Sequence, residues 1–230
     1  MLYKEFKKNM TLSLEAICLD IFNDDENSIK IKNQKIGVKK LGKIIDAALK
    51  LSNEKGFHAM SLRELCKESG LSMGGLYAYI ESKDELLNVI QDHGRRILLK
   101  TMTENLTNIN DPLEKLEAAI RLHLYLSEMM QAWFFFSYME TRFFNKEEKK
   151  TAKNSELFTE KIFHDILNEG CFHGVFTLED PLLTASVLKA MLQDWYLKRW
   201  KYQERDISVE KYAEVIISWI KAFAGVKLDN

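Results

Sequence analysis

The sequence has few of the residues that interrupt regular structure. Only 2 prolines and 10 glycines occur in 230 residues. A β-rich chain of this length needs many more turns, which glycine and proline usually supply. With 46% hydrophobic and 29% charged residues, the composition is that of a globular protein that can build a core. We therefore expect an all-α protein.

Cysteine is scarce as well. Cys18, Cys66 and Cys171 are odd in number and far apart, so neither a disulfide framework nor a zinc-finger spacing is present. We expect reduced thiols and no bound metal. The histidines show no HExxH spacing, and neither a phosphate-binding glycine loop nor a nucleophile elbow occurs. The sequence therefore predicts no catalytic site and no cofactor.

Long apolar segments are also missing. The stretch from Met1 to Lys8 lacks the apolar core of a signal peptide. The longest uncharged, aromatic-rich run, Met129–Met139, is too short to cross a bilayer. We expect a soluble, cytoplasmic protein without a membrane partner.

The charge is unevenly distributed, although the total is only −1 at pH 7. Residues 30–50 carry seven lysines and one acid, Asp46, for a net charge of +6, whereas residues 1–29 carry −3 and residues 101–230 carry −4. Two interpretations of the basic stretch remain open. It is either a solvated linker or an arm that binds phosphate groups.

Glycine is concentrated in one part of the chain. Seven of the ten glycines lie between residues 37 and 94, where we expect short helices with tight corners. Longer helices follow, so we place a domain boundary near residues 94–100. The predicted parts are an N-terminal extension and two domains, over residues 1–37, 38–95 and 96–230.

The first of these domains carries the signals of several helices. The first helix has an apolar face with i, i+3, i+4, i+7 spacing, and Gly56 can end it. Ser61 and Glu64 form a capping box that begins the second helix, and Gly70 ends it. Ser72 caps a third, very short helix, and a second capping box begins the fourth at Ser82-Lys-Asp-Glu. The apolar face of the first helix consists of Leu41, Ile44, Ile45, Ala48 and Leu49.

The third helix, Met73 to Tyr79, carries two glycines. Gly74 and Gly75 each cost a helix about 1 kcal/mol relative to alanine. This cost is offset where a partner approaches the backbone closely. Two helices joined by a glycine-containing turn, the second short and exposed, are typical of a helix-turn-helix that enters the major groove of DNA. The alternative is a small helical subdomain that binds no nucleic acid.

This segment resembles the DNA-binding domain of TetR/AcrR (tetracycline-repressor-like) transcriptional regulators. The matching motifs are Gly42-Lys-Ile-Ile-Asp-Ala-Ala-Leu, Glu54-Lys-Gly-Phe, Ser61-Leu-Arg-Glu-Leu-Cys and Ser69-Gly-Leu-Ser-Met-Gly-Gly-Leu-Tyr-Ala-Tyr-Ile-Glu-Ser-Lys-Asp-Glu-Leu-Leu. Two positions depart from the family but stay apolar: Cys66 replaces the usual alanine and Ile80 the usual phenylalanine. The rest of the chain resembles the family only in length and helical character.

The resemblance implies that eight residues bind DNA. Arginine is suited to bidentate contact with guanine, and tyrosine hydroxyls and lysine ammonium groups are suited to phosphates. The implied residues are Arg63, for a base edge or phosphate, Ser72, Met73, Gly74 and Gly75, for the leading edge of the recognition helix, and Tyr77, Tyr79 and Lys83, for the DNA backbone.

The extension exceeds what the family needs. Apolar residues from Leu12 to Phe22 predict a short helix, and Ile29–Lys32 alternates like an extended strand. The lysines that follow suit an arm that enters the adjacent minor groove. Docking of the apolar part onto the body of the protein is the alternative.

The second domain is rich in aromatic residues between Met130 and Phe144. A helix that is apolar nearly all round either belongs to a solid core or lines a cavity. The resemblance implies an effector pocket for small apolar molecules among these helices. The candidate ligand residues are His123, Trp133, Phe136, Glu140, Trp195, Tyr196 and Arg199, with Tyr125 and Arg142 as further polar groups close by.

A cationic cluster lies beside the aromatic residues of a later helix. Lys198, Arg199 and Lys201 adjoin Trp195 and Trp200. Such a slot suits an anionic amphiphile, for example an acyl thioester of coenzyme A, a class of compound that several members of the family sense.

Asp111-Pro112 predicts the start of one helix of the second domain, a capping residue followed by proline at the first helical position. The last two predicted helices begin at Asp180-Pro181 and Ser208 and have broad apolar faces. The resemblance implies that they pair with a second copy. We therefore predict a DNA-binding transcriptional regulator of about nine helices, a repressor that binds a palindromic double-stranded operator as a homodimer and is released by a small effector. The alternative is a helical interaction or scaffold protein with a vestigial DNA-binding domain.

Overall fold

The structure is a computed structural model that describes residues 2–10, 14–24, 29–141, 144 and 146–226. Within these residues it contains twelve α-helices and no strand, which confirms the all-α prediction. The helices are α1 (Tyr3–Asn9), α2 (Leu14–Phe22), α3 (Gln34–Lys55), α4 (Leu62–Ser69), α5 (Met73–Leu76), α6 (Lys83–Leu106), α7 (Pro112–Met129), α8 (Gln131–Glu140), α9 (Lys146–Phe172), α10 (Pro181–Leu197), α11 (Arg199–Glu204) and α12 (Val209–Phe223).

The predicted number of about nine helices is too low for the described residues. The sequence pattern does not predict α1, α9 and α11. With 7 and 6 residues, α1 and α11 are too short to show a helical period. Helix α9 has 27 residues but begins with a stretch rich in lysine and glutamate, so its apolar period is visible only in the second half.

The chain divides into two compact units. The first, here called the HTH unit, comprises Lys7–Ile97 and Ala132–Asn145, and the second, the C-terminal unit, comprises Met1–Phe6, Leu98–Gln131 and Lys146–Asn230. This division differs from the predicted domain bounds, because most of the extension and nearly all of α8 group with the helix-turn-helix. Periodicity shows that such segments are apolar on one face but not what they pack against.

Within the HTH unit, α2 packs on α3. Cys18 and Ile21 are buried, and the ring of Phe22 lies against Gly37 so closely that a β-carbon there would be 2.2 Å from ring atom Cε2. The apolar part of the extension therefore docks on the body of the protein, which is the second of the two alternatives that the sequence allowed. Leu12 lies outside the described residues. Residues 29 to 32 form neither a helix nor a strand, and the Lys30 amide donates to the carbonyl of Ala78 at 2.9 Å.

The C-terminal unit is built around α7, α9, α10 and α12, which contact one another. Its largest fully buried side chains include Trp195, Tyr125 and Phe163. Three of its helices begin at the predicted caps, where the side chains of Asp111, Asp180 and Ser208 accept backbone amide hydrogens of the first turn; two of these helices begin with proline. Among the described residues, no helix is both long and apolar enough to span a membrane.

Candidate nucleic-acid interface

Local capping interactions set the geometry of the helix-turn-helix. The Glu64 amide donates to Ser61 Oγ at 3.2 Å, and the Ser61 amide donates to Glu64 Oε2 at 2.9 Å, which is the predicted capping box. A hydrogen bond from Lys55, followed by those from the Ser61 amide and hydroxyl, lowers the pKa of the Glu64 carboxyl to about 2. Gly70 ends α4 with φ of 72°, a left-handed conformation that favours glycine.

The turn leads directly into α5, the candidate recognition helix. Ser72 Oγ accepts the Gly75 amide at 3.1 Å, so the predicted N-cap is present. Leu76 is fully buried and anchors the helix, whereas Met73 and Tyr77 are 38% and 44% exposed. The short helix is therefore held by one buried side chain and presents its remaining length to solvent.

Among the described residues, nothing requires a glycine at position 74 of α5. Neither Gly74 nor Gly75 has a positive φ, so the backbone conformation suits any residue. A β-carbon at Gly74 would meet nothing within 4 Å, whereas one at Gly75 would crowd the N-cap oxygen, Ser72 Oγ, at 3.2 Å. The cost of Gly74 in helix stability is thus without an internal reason, which favours an approach of the exposed backbone by something outside the protein.

Arg63 is exposed on α4, the helix that precedes the turn. Among the described residues it forms no ion pair or hydrogen bond. A guanidinium group that is free in this way retains all five N–H donors for a partner. Arg63, Ser72, Met73, Gly74 and Tyr77 thus all reach solvent.

Two other predicted DNA contacts lie in less accessible positions. Tyr79 is only 3% exposed, and its hydroxyl has no hydrogen-bond partner among the described residues. Lys83 Nζ donates to the backbone carbonyls of His58 and Met60, at 2.8 and 2.7 Å, and lies over the ring of Phe57. Burial lowers the pKa of Lys83. In this conformation the Lys83 ammonium joins α6 to the turn before α4 instead of pointing to solvent.

Three of the predicted effector residues are internal to the HTH unit. Trp133 Nε1 donates to the carbonyl of Ile90 at 2.9 Å. Glu140 Oε1 accepts the Ser52 hydroxyl at 3.1 Å and the Phe57 amide at 3.0 Å.

The third residue, Phe136, packs edge-on against Phe57 with ring centroids 5.6 Å apart. Together these contacts fix α8 to α3 and α6, so these side chains stabilise the unit that carries the candidate DNA surface. Phe136 is itself almost completely buried.

The remaining candidates belong to the C-terminal unit. Arg199 donates to both oxygens of Glu128, at 2.9 and 3.0 Å, and its guanidinium group lies 4.5 Å from the centre of the Trp195 ring. Trp195 Nε1 donates to the same carboxylate at 3.1 Å. Tyr196 is buried close by, with 5% of its surface exposed.

The neighbouring cations are also paired. Lys198 and Lys201 both contact Asp194, at 2.5 and 2.6 Å. Hydrogen bonds from these lysines and from Tyr202 lower the pKa of Asp194 despite its partial burial. The predicted cationic slot is thus neutralised by acids of the same unit, which spacing along the sequence did not reveal. Arg142 lies outside the described residues.

Comparison with known proteins identifies the fold. Residues 44–90 match the family model of bacterial regulatory proteins, tetR family, and residues 110–220 match that of the tetracyclin repressor-like C-terminal domain. The chain belongs to the TetR family.

Individual relatives of this TetR-family protein resemble it along most of its length. The uncharacterized HTH-type transcriptional regulator YfiR of Bacillus subtilis is 26% identical over 194 residues, which cover 80% of this chain and 91% of YfiR. Crystal structures of AibR with isovaleryl coenzyme A and operator DNA, and of Bacillus subtilis FadR with stearoyl-CoA, superpose with TM-scores of 0.67 and 0.60. They are 20% and 19% identical to this chain, and each superposition covers 76% of this chain and 95% of the other chain.

Lys189 is a buried polar group of the TetR-family chain that the sequence pattern did not predict. Lys189 on α10 is only 3% exposed, and its ammonium donates to Glu156 Oε1 at 2.9 Å and to Thr159 Oγ1 at 2.7 Å. Burial lowers its pKa. Burial, followed by the charge of Lys189, holds the pKa of His123 on α7 well below its ordinary value. The sequence carries one signal of this burial, because Lys189 follows Ala185 by one helical turn and so lies on the apolar face of α10.

The two helices predicted to pair with a second copy carry exposed apolar side chains. Leu182, Leu183 and Val187 on α10 are 54%, 60% and 43% exposed, and Val215 and Phe223 on α12 are 54% and 57% exposed. Large apolar side chains concentrated on two helices are typical of a protein–protein interface.

Proposed function

We propose that this TetR-family regulator is a homodimeric repressor that binds a palindromic operator and is released by a small amphipathic effector. The observation that carries the DNA-binding part is α5. Gly74 has no internal packing or conformational reason and is exposed, and the exposed Arg63 on the preceding helix forms no ion pair or hydrogen bond with the residues that the structure describes. A protein surface of this kind suits a partner that approaches the backbone and accepts bidentate hydrogen bonds, as guanine does in the major groove.

The dimer follows from the geometry of DNA and from the C-terminal unit. Two recognition helices about 34–36 Å apart fit consecutive turns of one face of a duplex, so a twofold dimer reads a palindrome. The exposed apolar residues of α10 and α12 supply a surface for such pairing.

The effector belongs to the C-terminal unit in this proposal. AibR and FadR, which share the fold, were crystallised with acyl-coenzyme A compounds, and this supports an acyl thioester as the effector class. We retain His123, Trp195, Tyr196 and Arg199 as candidate contacts and assign Trp133, Phe136 and Glu140 to the packing of the HTH unit. An effector that prefers a different spacing of the two HTH units lowers DNA affinity, typically about 5–150-fold, because coupling between sites is reciprocal.

The proposed function is that of a regulator and not of an enzyme. The relatives YfiR and HbdR are named as transcriptional regulators, which supports this at the level of the family. A repressor acts where the chromosome is, so we place the protein in the cytoplasm.

Binding of the full chain to fluorescent DNA from upstream of its own gene tests this function. We expect retention that exceeds that of scrambled DNA and decreases with salt, with two chains bound per site. Arg63→Ala should relax sequence preference, whereas Arg205→Ala, a matched change at an exposed arginine of the C-terminal unit, should not.

Added stearoyl-CoA or isovaleryl-CoA should release the DNA. Equal binding of upstream and scrambled DNA would favour the alternative, an interaction protein with a vestigial DNA-binding domain. Specific DNA binding that neither thioester alters would limit the proposal to the DNA-binding part and remove the effector class.

A further inference from the structure

The basic segment, residues 30–43, contains six lysines and no acid: Lys30, Lys32, Lys35, Lys39, Lys40 and Lys43. All six are exposed. We infer that this segment is a second phosphate-binding surface, which holds the operator backbone beside the recognition helix. The inference rests on the proposed DNA binding and adds residues outside the helix-turn-helix to it.

The first part of the basic segment is fixed next to the candidate DNA surface. The Lys30 amide donates to the carbonyl of Ala78, at 2.9 Å, immediately after the exposed Tyr77 of the recognition helix. Lys30 Nζ also lies 3.7 Å from Glu81 Oε1. One backbone hydrogen bond and one exposed ion pair thus connect Lys30 to the residues that follow α5, so this stretch continues the same surface.

The stretch from Ile29 to Lys32 has two different sides. Ile29 and Ile31 are half-buried, while Lys30 and Lys32 are exposed. The burial thus alternates from residue to residue, with the isoleucines against the HTH unit and the two lysines in solvent. Lys32 has no ion pair among the described residues, whereas Lys30 lies close to Glu81.

Helix α3 continues this pattern. Lys35, Lys39 and Lys43 follow one another at i, i+4 spacing, so their ammonium groups lie on one face and repel each other. Among the described residues, none of the three has an ion pair. Farther along the same helix the arrangement differs, since Lys50 pairs with Glu68 and Lys55 with Glu64. In the part of the chain that the structure describes, the lysines in the first half of α3 thus have no ion-pair partner, and phosphates would supply one.

A salt series with three full-length proteins tests this surface. The variant K32Q/K35Q/K39Q removes three exposed charges from the basic segment. The control K149Q/K150Q/K153Q removes three exposed charges from α9, in the C-terminal unit. Both have the same change in net charge, and all substituted side chains are exposed, so both should keep the wild-type thermal midpoint.

The slope of log K against log salt should separate the variants, measured by anisotropy with the upstream DNA. Each phosphate contact adds about 0.9 to the magnitude of this slope. In a dimer, loss of one to three contacts per chain should reduce the magnitude by about 2–5 in K32Q/K35Q/K39Q, while the control keeps the wild-type slope. Equal slopes in the two variants would overturn the inference but leave the proposed function intact.

Two further outcomes are informative. A wild-type protein that does not prefer upstream DNA over scrambled DNA would remove the proposed function, and this inference with it. The wild-type protein is also tested for binding to phosphatidylglycerol vesicles. If K32Q/K35Q/K39Q loses such binding but keeps the wild-type salt slope for DNA, the basic segment binds an anionic membrane surface, and the inference is overturned.

Discussion

Replacement of Gly74 by alanine separates the stability of the protein from its DNA affinity. The residue lies in α5 with a backbone conformation open to any amino acid, and the added methyl group would meet no protein atom within 4 Å. Alanine is favoured over glycine in a helix by about 1 kcal/mol. Gly74→Ala should therefore leave the free energy of unfolding unchanged or raise it by up to about 1 kcal/mol.

The DNA affinity of the same variant should fall. If the backbone of α5 approaches the base edges, the methyl group occupies space that the partner needs. A displacement that costs about 1.4 kcal/mol of binding free energy reduces affinity tenfold. We expect at least this loss for the upstream DNA, together with an unchanged oligomeric state.

Urea unfolding and anisotropy titration on one protein preparation measure both quantities. Because a dimer's apparent stability depends on protein concentration, both proteins are compared at the same concentration. A Gly74→Ala protein that binds the upstream DNA as tightly as wild type would refute the assignment of α5 as the recognition helix. So would a variant that loses stability, since the structure shows room for the methyl group.

Three further changes test the assignments made for buried residues. Gly94→Ala should destabilise the protein by about 1–3 kcal/mol, because its β-carbon would lie 2.0 Å from ring atom Cε2 of Trp133. A free energy of unfolding in urea that is no lower than that of Gly74→Ala would contradict this. Glu140→Ala should lower the free energy of unfolding by roughly 2–4 kcal/mol and Glu140→Gln by less than about 1 kcal/mol, while calorimetry shows an unchanged affinity for isovaleryl-CoA. A stable Glu140→Ala protein that has lost this affinity would instead assign Glu140 to an effector site. His123 stays neutral in the folded state while the unfolded chain gains its proton below about pH 6.5, so stability should fall by up to about 1.4 kcal/mol per pH unit below that value. His123→Asn should reduce this pH slope, with a remainder from His93, whose pKa burial also lowers, and the exposed-site control His173→Asn should keep the full slope. Equal slopes in the two variants would show that His123 is not the cause.

The helix-turn-helix could be predicted because its signals are local. The Ser61–Glu64 capping box, the Ser72 cap and the left-handed Gly70 each act within a few residues, so spacing alone specifies them. The structure confirms these three elements at the predicted positions. The same holds for the proline-led helices of the C-terminal unit.

Long-range partners could not be predicted in this way. Glu140 bonds to residues 83 and 88 positions earlier in the chain, and Trp133 to a carbonyl 43 positions earlier. The aromatic content of α8 indicated burial but not the surface that buries it, so an effector pocket and a structural contact were equally compatible with the sequence. The pairing of Lys198 and Lys201 with Asp194 was missed for a related reason, since a run of charges does not show which of them neutralise each other.

The account depends on a pair of exposed α5 helices in the major groove, and methylation interference on the upstream DNA tests this most directly. Methyl groups on guanine N7 protrude into the major groove. We predict two patches of interference, one in each half-site, with centres about 10 base pairs apart. Each patch should lose a guanine signal when Arg63 is replaced by alanine. A single patch, or interference confined to minor-groove adenines, would contradict the account.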